Sequence, residues 1–187
     1  MEKFVFLDRD GVINKEINFL HKKEDLELIE GSAEAIKKLN DNGWIVIIVT
    51  NQPVVAIGLC TEEDGREINS RLKEMLAEKG AKIERTYYCP HHPKKGGNLK
   101  YTKECECRKP KPGMILAAKR HFGIDLSESY MIGDHTGDIL AGVRAGCKTI
   151  LVKTGHGGND EFDDATPDFI AKNLRDAVEK IILPKKQ

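Results

Sequence analysis

Residues 87–113, YYCPHHPKKGGNLKYTKECECRKPKPG, hold three cysteines, two histidines and seven lysines or arginines in a stretch poor in apolar side chains. Cys89-x-His91 and Cys105-x-Cys107 form two close donor pairs across a glycine-containing loop, the layout of a closed tetrahedral zinc site with sulfur and nitrogen ligands. His91 is the expected nitrogen donor, with the adjacent His92 as the alternative. Four protein ligands leave no position for an activated water, so the metal would hold loop 89–107 together and fix Arg108 and Lys109 just beyond its last ligand. A catalytic thiol and unliganded loop cysteines are the competing readings. Five cysteines in all, an odd number with three clustered beside histidine, favour metal ligation over a disulfide framework and a reducing, cytoplasmic compartment. A second set of chemical side chains lies outside this loop: Asp8 and Asp10 in LDRDGVIN, Thr50 in TNQP, and Asp134 with Asp138 in GDHTGD.

These residues need elements to bring them together. KFVFLD (3–8) is a buried strand candidate, and WIVIIVT (44–50) lacks polar alternation, as a central parallel strand covered on both faces does. SAEAIKKLNDNG (32–43) reads as a helix with Ser32 at its N-cap and Gly43 past its end. Thr61 and Asp64 open an amphipathic helix that ends at Gly80. IERTYY (83–88), SYMIGD (129–134), KTILV (148–152) and DFIA read as further strands. Helices are expected from Pro112 to Gly123, over 136–146 and over LRDAVEKII, and residues 153–166 form a polar loop. Alternating strands and helices predict an α/β fold with a doubly wound parallel sheet, in which ligands sit outside the carboxyl ends of the strands. The 187 residues suit one domain over 1–187, with no cap domain between the motifs.

Three of the strands then end in polar residues on one rim of the sheet. For each motif alone a bland reading exists: a turn for DRDG, a β-favouring threonine at 50, helix N-terminal charges at 134 and 138. Together they converge, and convergent carboxylates repel unless a cation lies among them. Mg²⁺, a hard ion of octahedral oxygen coordination, is the expected occupant, bound by Asp8, the backbone carbonyl of Asp10 and Asp134. Thirty basic and thirty acidic residues cancel, so no global field recruits nucleic acid or an acidic membrane surface, and any anion must be bound locally; a monomer is the default expectation. A zinc module reading nucleic acid through Lys94, Lys95, Lys100, Lys103, Arg108, Lys109 and Lys111 is disfavoured by that balance and by the lack of helix-embedded ligands. The first residues carry only a short apolar run, stopped by Asp8, and no membrane span is expected.

FLDRDGVIN, VTNQ, CRKPKPGM and MIGDHTGD, in that order, resemble the four motifs of the haloacid-dehalogenase-like phosphatase superfamily. The resemblance implies a Rossmann-like core in which Asp8 attacks phosphorus to form an aspartyl-phosphate. Asp10 would act as general acid and then base, protonated when substrate binds because of the nearby Asp8 and phosphate. Thr50 and the Asn51 backbone, within the TNQP stretch that includes Gln52 and Pro53, would hold phosphate oxygens. Lys109 matches the family's lysine-Pro-x-Pro frame, which leaves Lys111 at the helix N-cap. The zinc loop before CRKP looks like that of the D-glycero-D-manno-heptose 1,7-bisphosphate 7-phosphatase group, with histidinol-phosphate phosphatases as relatives; nucleotide or DNA-end phosphatases are the further alternative. The resemblance to that group implies that Arg108 would contact substrate beside Lys109 and that residues 14–20 would line the sugar site. Pro53 and Ile57 replace the group's usual Ser-Gly and arginine, and His135 stands where lysine is common, which bears on the substrate and anomer preferred.

Overall fold

A computed structural model describes residues 2–94, 96–160 and 165–184; Lys95 and four residues of the polar 153–166 stretch lie outside the described residues. Six strands form one parallel sheet in the order β3-β2-β1-β4-β5-β6, where β1 is Lys3–Leu7, β2 Trp44–Asn51, β3 Arg85–Cys89, β4 Tyr130–Gly133, β5 Lys148–Val152 and β6 Phe169–Ala171. The order reverses between β1 and β4, and Leu7 pairs with Ile48 on one side and Ile132 on the other. Such a switch point opens a crevice at the carboxyl ends of the two strands.

Strand side chains alternate between two apolar layers. Val5 and Leu7 of β1, with Val46 and Ile48 of β2, face the layer formed with α1 (Ser32–Asp41), α3 (Glu62–Glu78) and α6 (Leu174–Ala177). Phe4, Phe6, Ile47 and Val49 face the other layer, built with Met114, Ile115 and Ala118 of α4 (Gly113–Phe122) and Ala141 of α5 (Thr136–Ala145). A chain covered on both faces needs apolar residues at consecutive positions, which is why β1 and β2 show no polar alternation. A short helix α2 (Val54–Ile57) follows β2, and α6 runs on into a π-helical segment, Val178–Ile182.

Several boundaries differ from the sequence expectation by one or two residues. Gly31, at φ +81°, is the N-cap of α1; Ser32 is the first helical residue and its hydroxyl donates to the Ile13 carbonyl instead (2.8 Å). Pro112 is the N-cap of α4 rather than its first turn residue, and Lys111 lies one position before it, paired with Glu106. β3 starts at Arg85, two residues later than the apolar pattern suggests. The Thr61–Asp64 capping box at the start of α3 is present as expected.

The approach of α5 to the sheet requires a glycine. A Cβ at Gly142 would lie 2.7 Å from a Thr149 methyl and 2.8 Å from the Met131 Cβ, so the helix backbone rests directly on β4 and β5. Residues 90–94 and 96–112 lie in the loop connection between β3 and α4. Their outer edge is tied to α3 by Glu62, which accepts hydroxyl hydrogen bonds from both Tyr88 and Tyr101 at 2.5 Å. Among the described residues no helix is long and apolar enough to cross a membrane.

Candidate active site

Asp8 follows β1, and its backbone N–H donates to the Ile132 carbonyl (2.9 Å), which sets the carboxylate at the switch point. Lys109 Nζ lies 2.8 Å from Asp8 Oδ1, 2.7 Å from Asp138 Oδ1 and donates to the Val49 carbonyl at 2.8 Å. All three side chains are at least nine-tenths buried. Burial raises the Asp8 carboxyl above the usual range, with Lys109 opposing and Asp138 and Asp10 adding to the rise. Burial alone would lower Lys109, but the charges of Asp138 and Asp8 outweigh it and hold the ammonium well above the ordinary lysine value. The lysine is placed by the backbone: Asn51 Nδ2 donates to the Lys109 carbonyl and Asn51 Oδ1 accepts from its N–H, both at 3.0 Å.

Asp134 is fully buried after β4. Its Oδ2 accepts from the His156 N–H (2.8 Å), and its Oδ1 is 3.2 Å from His135 Nδ1. One ligand atom each from Asp8, Asp134, Asp138 and His135 gathers within 4.8 Å. Three carboxylates face two cationic partners, Lys109 on Asp8 and Asp138 and His135 on Asp134, so the oxygen-rich cluster keeps an excess of negative charge suited to a hard divalent cation. Gly11, at φ +77°, leaves room here: a Cβ at that position would lie 2.3 Å from Asp134 Oδ2.

Asp10 is expected to be protonated when substrate binds; in the protein without substrate its carboxylate is surrounded by donors. Burial would raise its carboxyl, yet Arg9, Asn14 and Gln52 together hold it below the usual range. Arg9 Nη2 pairs with Oδ2 at 2.9 Å, Asn14 Nδ2 donates to Oδ1 at 2.8 Å and Gln52 Nε2 donates to Oδ2 at 2.7 Å. Arg9 itself is buried, with Nη1 donating to Asn69 Oδ1 and Nη2 to Gln52 Oε1, both at 2.9 Å. Gln52 also donates to Thr50 Oγ1 (2.9 Å), linking the end of β2 to Asp10.

A cavity of about 200 Å³ opens over these groups, with Asp8, Asp10, Asn51, Gln52, Pro53, Arg108 and His135 on its wall. Glu16, Asn18, Phe19 and Leu20 close one side, in agreement with the expected part of loop 14–20, and His156 closes another. Arg108 is aimed by its Nη1, which donates to the His91 carbonyl (3.1 Å).

The Cys/His loop brings its four expected donors together. Cys89, Cys105 and Cys107 sulfurs lie 3.2–3.5 Å from one another, and His91 Nδ1 is 3.6 Å from Cys89 Sγ and 3.4 Å from Cys107 Sγ. Donors about 2.3 Å (sulfur) or 2.1 Å (nitrogen) from one tetrahedral ion lie roughly 3.5–3.8 Å apart, so the cluster fits zinc with a slight expansion. No disulfide joins these cysteines. His92 stands outside the cluster, its Nδ1 accepting from the Lys94 N–H. Hydrogen bonding between Cys89 and Cys107 pushes the Cys107 thiol down to about 5 and the Cys89 thiol up.

The HAD-hydrolase-like family model matches residues 106–177. A D-glycero-alpha-D-manno-heptose-1,7-bisphosphate 7-phosphatase of Photorhabdus laumondii is 43% identical over 92% of each chain. The chain belongs to the haloacid-dehalogenase-like phosphatases. As a member of that family it is a phosphoric monoester hydrolase. The D-glycero-beta-D-manno-heptose-1,7-bisphosphate 7-phosphatase of Escherichia coli K12 is 37% identical, covering 95% of this chain and 92% of its own. The crystal structure of D,D-heptose 1,7-bisphosphate phosphatase from B. bronchiseptica, complexed with magnesium and phosphate, superposes with a TM-score of 0.84 at 31% identity, covering 96% of this chain and 98% of that one.

Three side chains at the candidate site had no site role assigned from the sequence: Asp138 and Arg9, which lie inside the motif stretches, and His156, which lies outside them. Asp138 reads as a helix N-terminal charge, and it does accept from the His135 N–H (3.1 Å), but its other oxygen holds Lys109. Arg9 lies between two singled-out aspartates without a signal of its own. His156 sits in a glycine-rich loop, and only the latch of that loop onto Asp134 brings it to the cavity.

Proposed function

We propose that this chain is a Mg²⁺-dependent phosphatase that removes the 7-phosphate of D-glycero-D-manno-heptose 1,7-bisphosphate through a phosphoaspartate on Asp8. The observation that carries the reading is the buried Asp8–Lys109–Asp138 ion network beneath a small polar cavity, in a chain whose curated relatives act on that bisphosphate. Asp8, Asp134 and the Asp10 carbonyl would hold Mg²⁺, which when bound neutralises charge on the transferring phosphoryl group.

Asp8 attacks phosphorus in line while the bond to the sugar oxygen breaks, and Asp10 gives that oxygen its proton. Asp10 is held as a carboxylate by Arg9 in the free protein, so it takes up this proton as the anionic phosphate arrives beside it. Water, deprotonated by Asp10, then attacks the phosphoaspartate and releases inorganic phosphate. Lys109 and Thr50 hold phosphate oxygens, the Asn51 backbone and Gln52 support them, and Pro53, Arg108 and His135 meet the rest of the substrate. Cys89, His91, Cys105 and Cys107 would bind Zn²⁺ as a structural ion that steadies Arg108 and Lys109. A small sugar phosphate as substrate, a monomeric single domain and a cytoplasmic site of action complete the reading.

A phosphate-release screen with Mg²⁺ over both anomers of the heptose bisphosphate, histidinol phosphate and nucleotides tests it. The bisphosphate should turn over at least about tenfold faster than the others, and Asp8→Asn should abolish release. Activity that survives Asp8→Asn removes the nucleophile assignment, and a preference for histidinol phosphate or nucleotides replaces the heptose reading.

A further inference from the structure

The cavity wall holds two imidazoles that the proposed chemistry does not need as a pair. The His135 and His156 rings have centroids 4.1 Å apart, tilted by 40°, and one ligand atom each from His135, His156 and Asp134 lies within 4.8 Å of the others. Their placement is built into the backbone. His135 is the N-cap of α5, fixed by its N–H to Asp138 Oδ2. His156 is fixed by its N–H to Asp134 Oδ2, and the loop that carries it is latched twice more, by the Thr154 hydroxyl to the Gly11 carbonyl (2.6 Å) and by the Gly158 N–H to the Asp134 carbonyl (2.8 Å). Gly155 permits this approach, since a Cβ there would lie 2.2 Å from Asp134 Oδ2.

Mg²⁺ does not use such a donor set. Imidazole nitrogens suit borderline transition ions, and two imidazoles with one carboxylate on one side of an open cavity leave further positions for water or substrate oxygen. We infer that His135, His156 and Asp134 form a second metal site, for a divalent transition ion such as Ni²⁺ or Zn²⁺, that shares the Asp134 carboxylate with the site proposed for Mg²⁺. Bonds of about 2.1 Å put neighbouring ligands roughly 3–4 Å apart; His135 Nδ1 and Asp134 Oδ1 are already 3.2 Å apart, and with a His156 nitrogen within 4.8 Å of the other two donors the set needs only a small closure. Both rings are only partly buried and can turn to do so. An ion bound here draws Asp134 away from Mg²⁺ and places a borderline competitor at the rim. The phosphatase is then inhibited by transition ions in a manner that excess Mg²⁺ relieves. Binding itself does not depend on the phosphatase reading; the inhibition does.

The test uses the full chain with Zn²⁺ preloaded at the cysteine loop, titrated with Ni²⁺ by calorimetry, alongside His156→Gln. The wild-type protein should bind one Ni²⁺ per chain, with the imidazole proton resonances of His135 and His156 shifted and broadened by the paramagnetic ion, and His156→Gln should bind it at least about tenfold more weakly. In phosphate release at fixed Mg²⁺, the variant should need correspondingly more Ni²⁺ for half-inhibition. Equal Ni²⁺ affinity in the two proteins, or broadening confined to other histidines, overturns the site. Ni²⁺ binding that passes these checks in a protein with no phosphatase activity would sustain the site and reject the proposed function instead.

Discussion

Lys109 concentrates the electrostatics of the rim. It is buried between Asp8 and Asp138, and removing it leaves two desolvated carboxylates facing each other without a counter-charge. Lys109→Met should therefore cost about 3–5 kcal/mol in urea unfolding and lower phosphate release by at least about a hundredfold. A loss of activity without a loss of stability would mean that the ion network does not bear on folding. The lysine itself was legible in the sequence because Pro110 and Pro112 set its frame. Its partner Asp138 was not, since an aspartate three residues into a helix already has a sufficient explanation in capping, and nothing local says that its second oxygen reaches another segment. Arg9 was hidden for a similar reason: a charged residue between two aspartates reads as exposed, whereas its stem is buried and its guanidinium spends its donors on Asp10, Gln52 and Asn69.

Among the elements, the Cys/His loop was the most readable, because ligand spacing in a segment poor in apolar residues has few other uses. Its consequence for catalysis is positional. The last cysteine is adjacent to Arg108, whose guanidinium is aimed by the His91 carbonyl, and the next residue is Lys109. The Cys105→Ser, Cys107→Ser double variant should lose about one equivalent of zinc by metal analysis, and its KM for the sugar phosphate should rise as Arg108 loses its support. Retained zinc would exclude these thiolates as ligands. Element boundaries were less readable. Gly31 rather than Ser32 caps α1 because the Ser32 hydroxyl finds the Ile13 carbonyl, a contact between segments that no local pattern announces.

For the whole molecule, the alternation of strands and helices pointed to a parallel sheet but not to its order. That Asp8 and Asp134 become neighbours follows from β1 pairing with β4, a long-range choice made by the fit of the two apolar layers. These layers can be weakened without touching the rim. Leu72 is fully buried against the sheet in the α3 layer and takes no part in the cavity wall. Leu72→Ala should cost about 2–5 kcal/mol in denaturant unfolding while leaving kcat of the folded protein within about twofold. A large fall in kcat at full folding would show that the α3 layer also shapes the site.

The bare backbone at Gly142 has a reach beyond packing. Because α5 lies flush on β4 and β5 there, the helix start that carries His135 and Asp138 is held at a set height above the sheet, and with it the oxygen that grips the Lys109 ammonium. A single methyl group at 142 would tilt that lever, so the gauge of the catalytic pocket is kept by the smallest residue in the chain, a full helical turn away from the atoms it regulates.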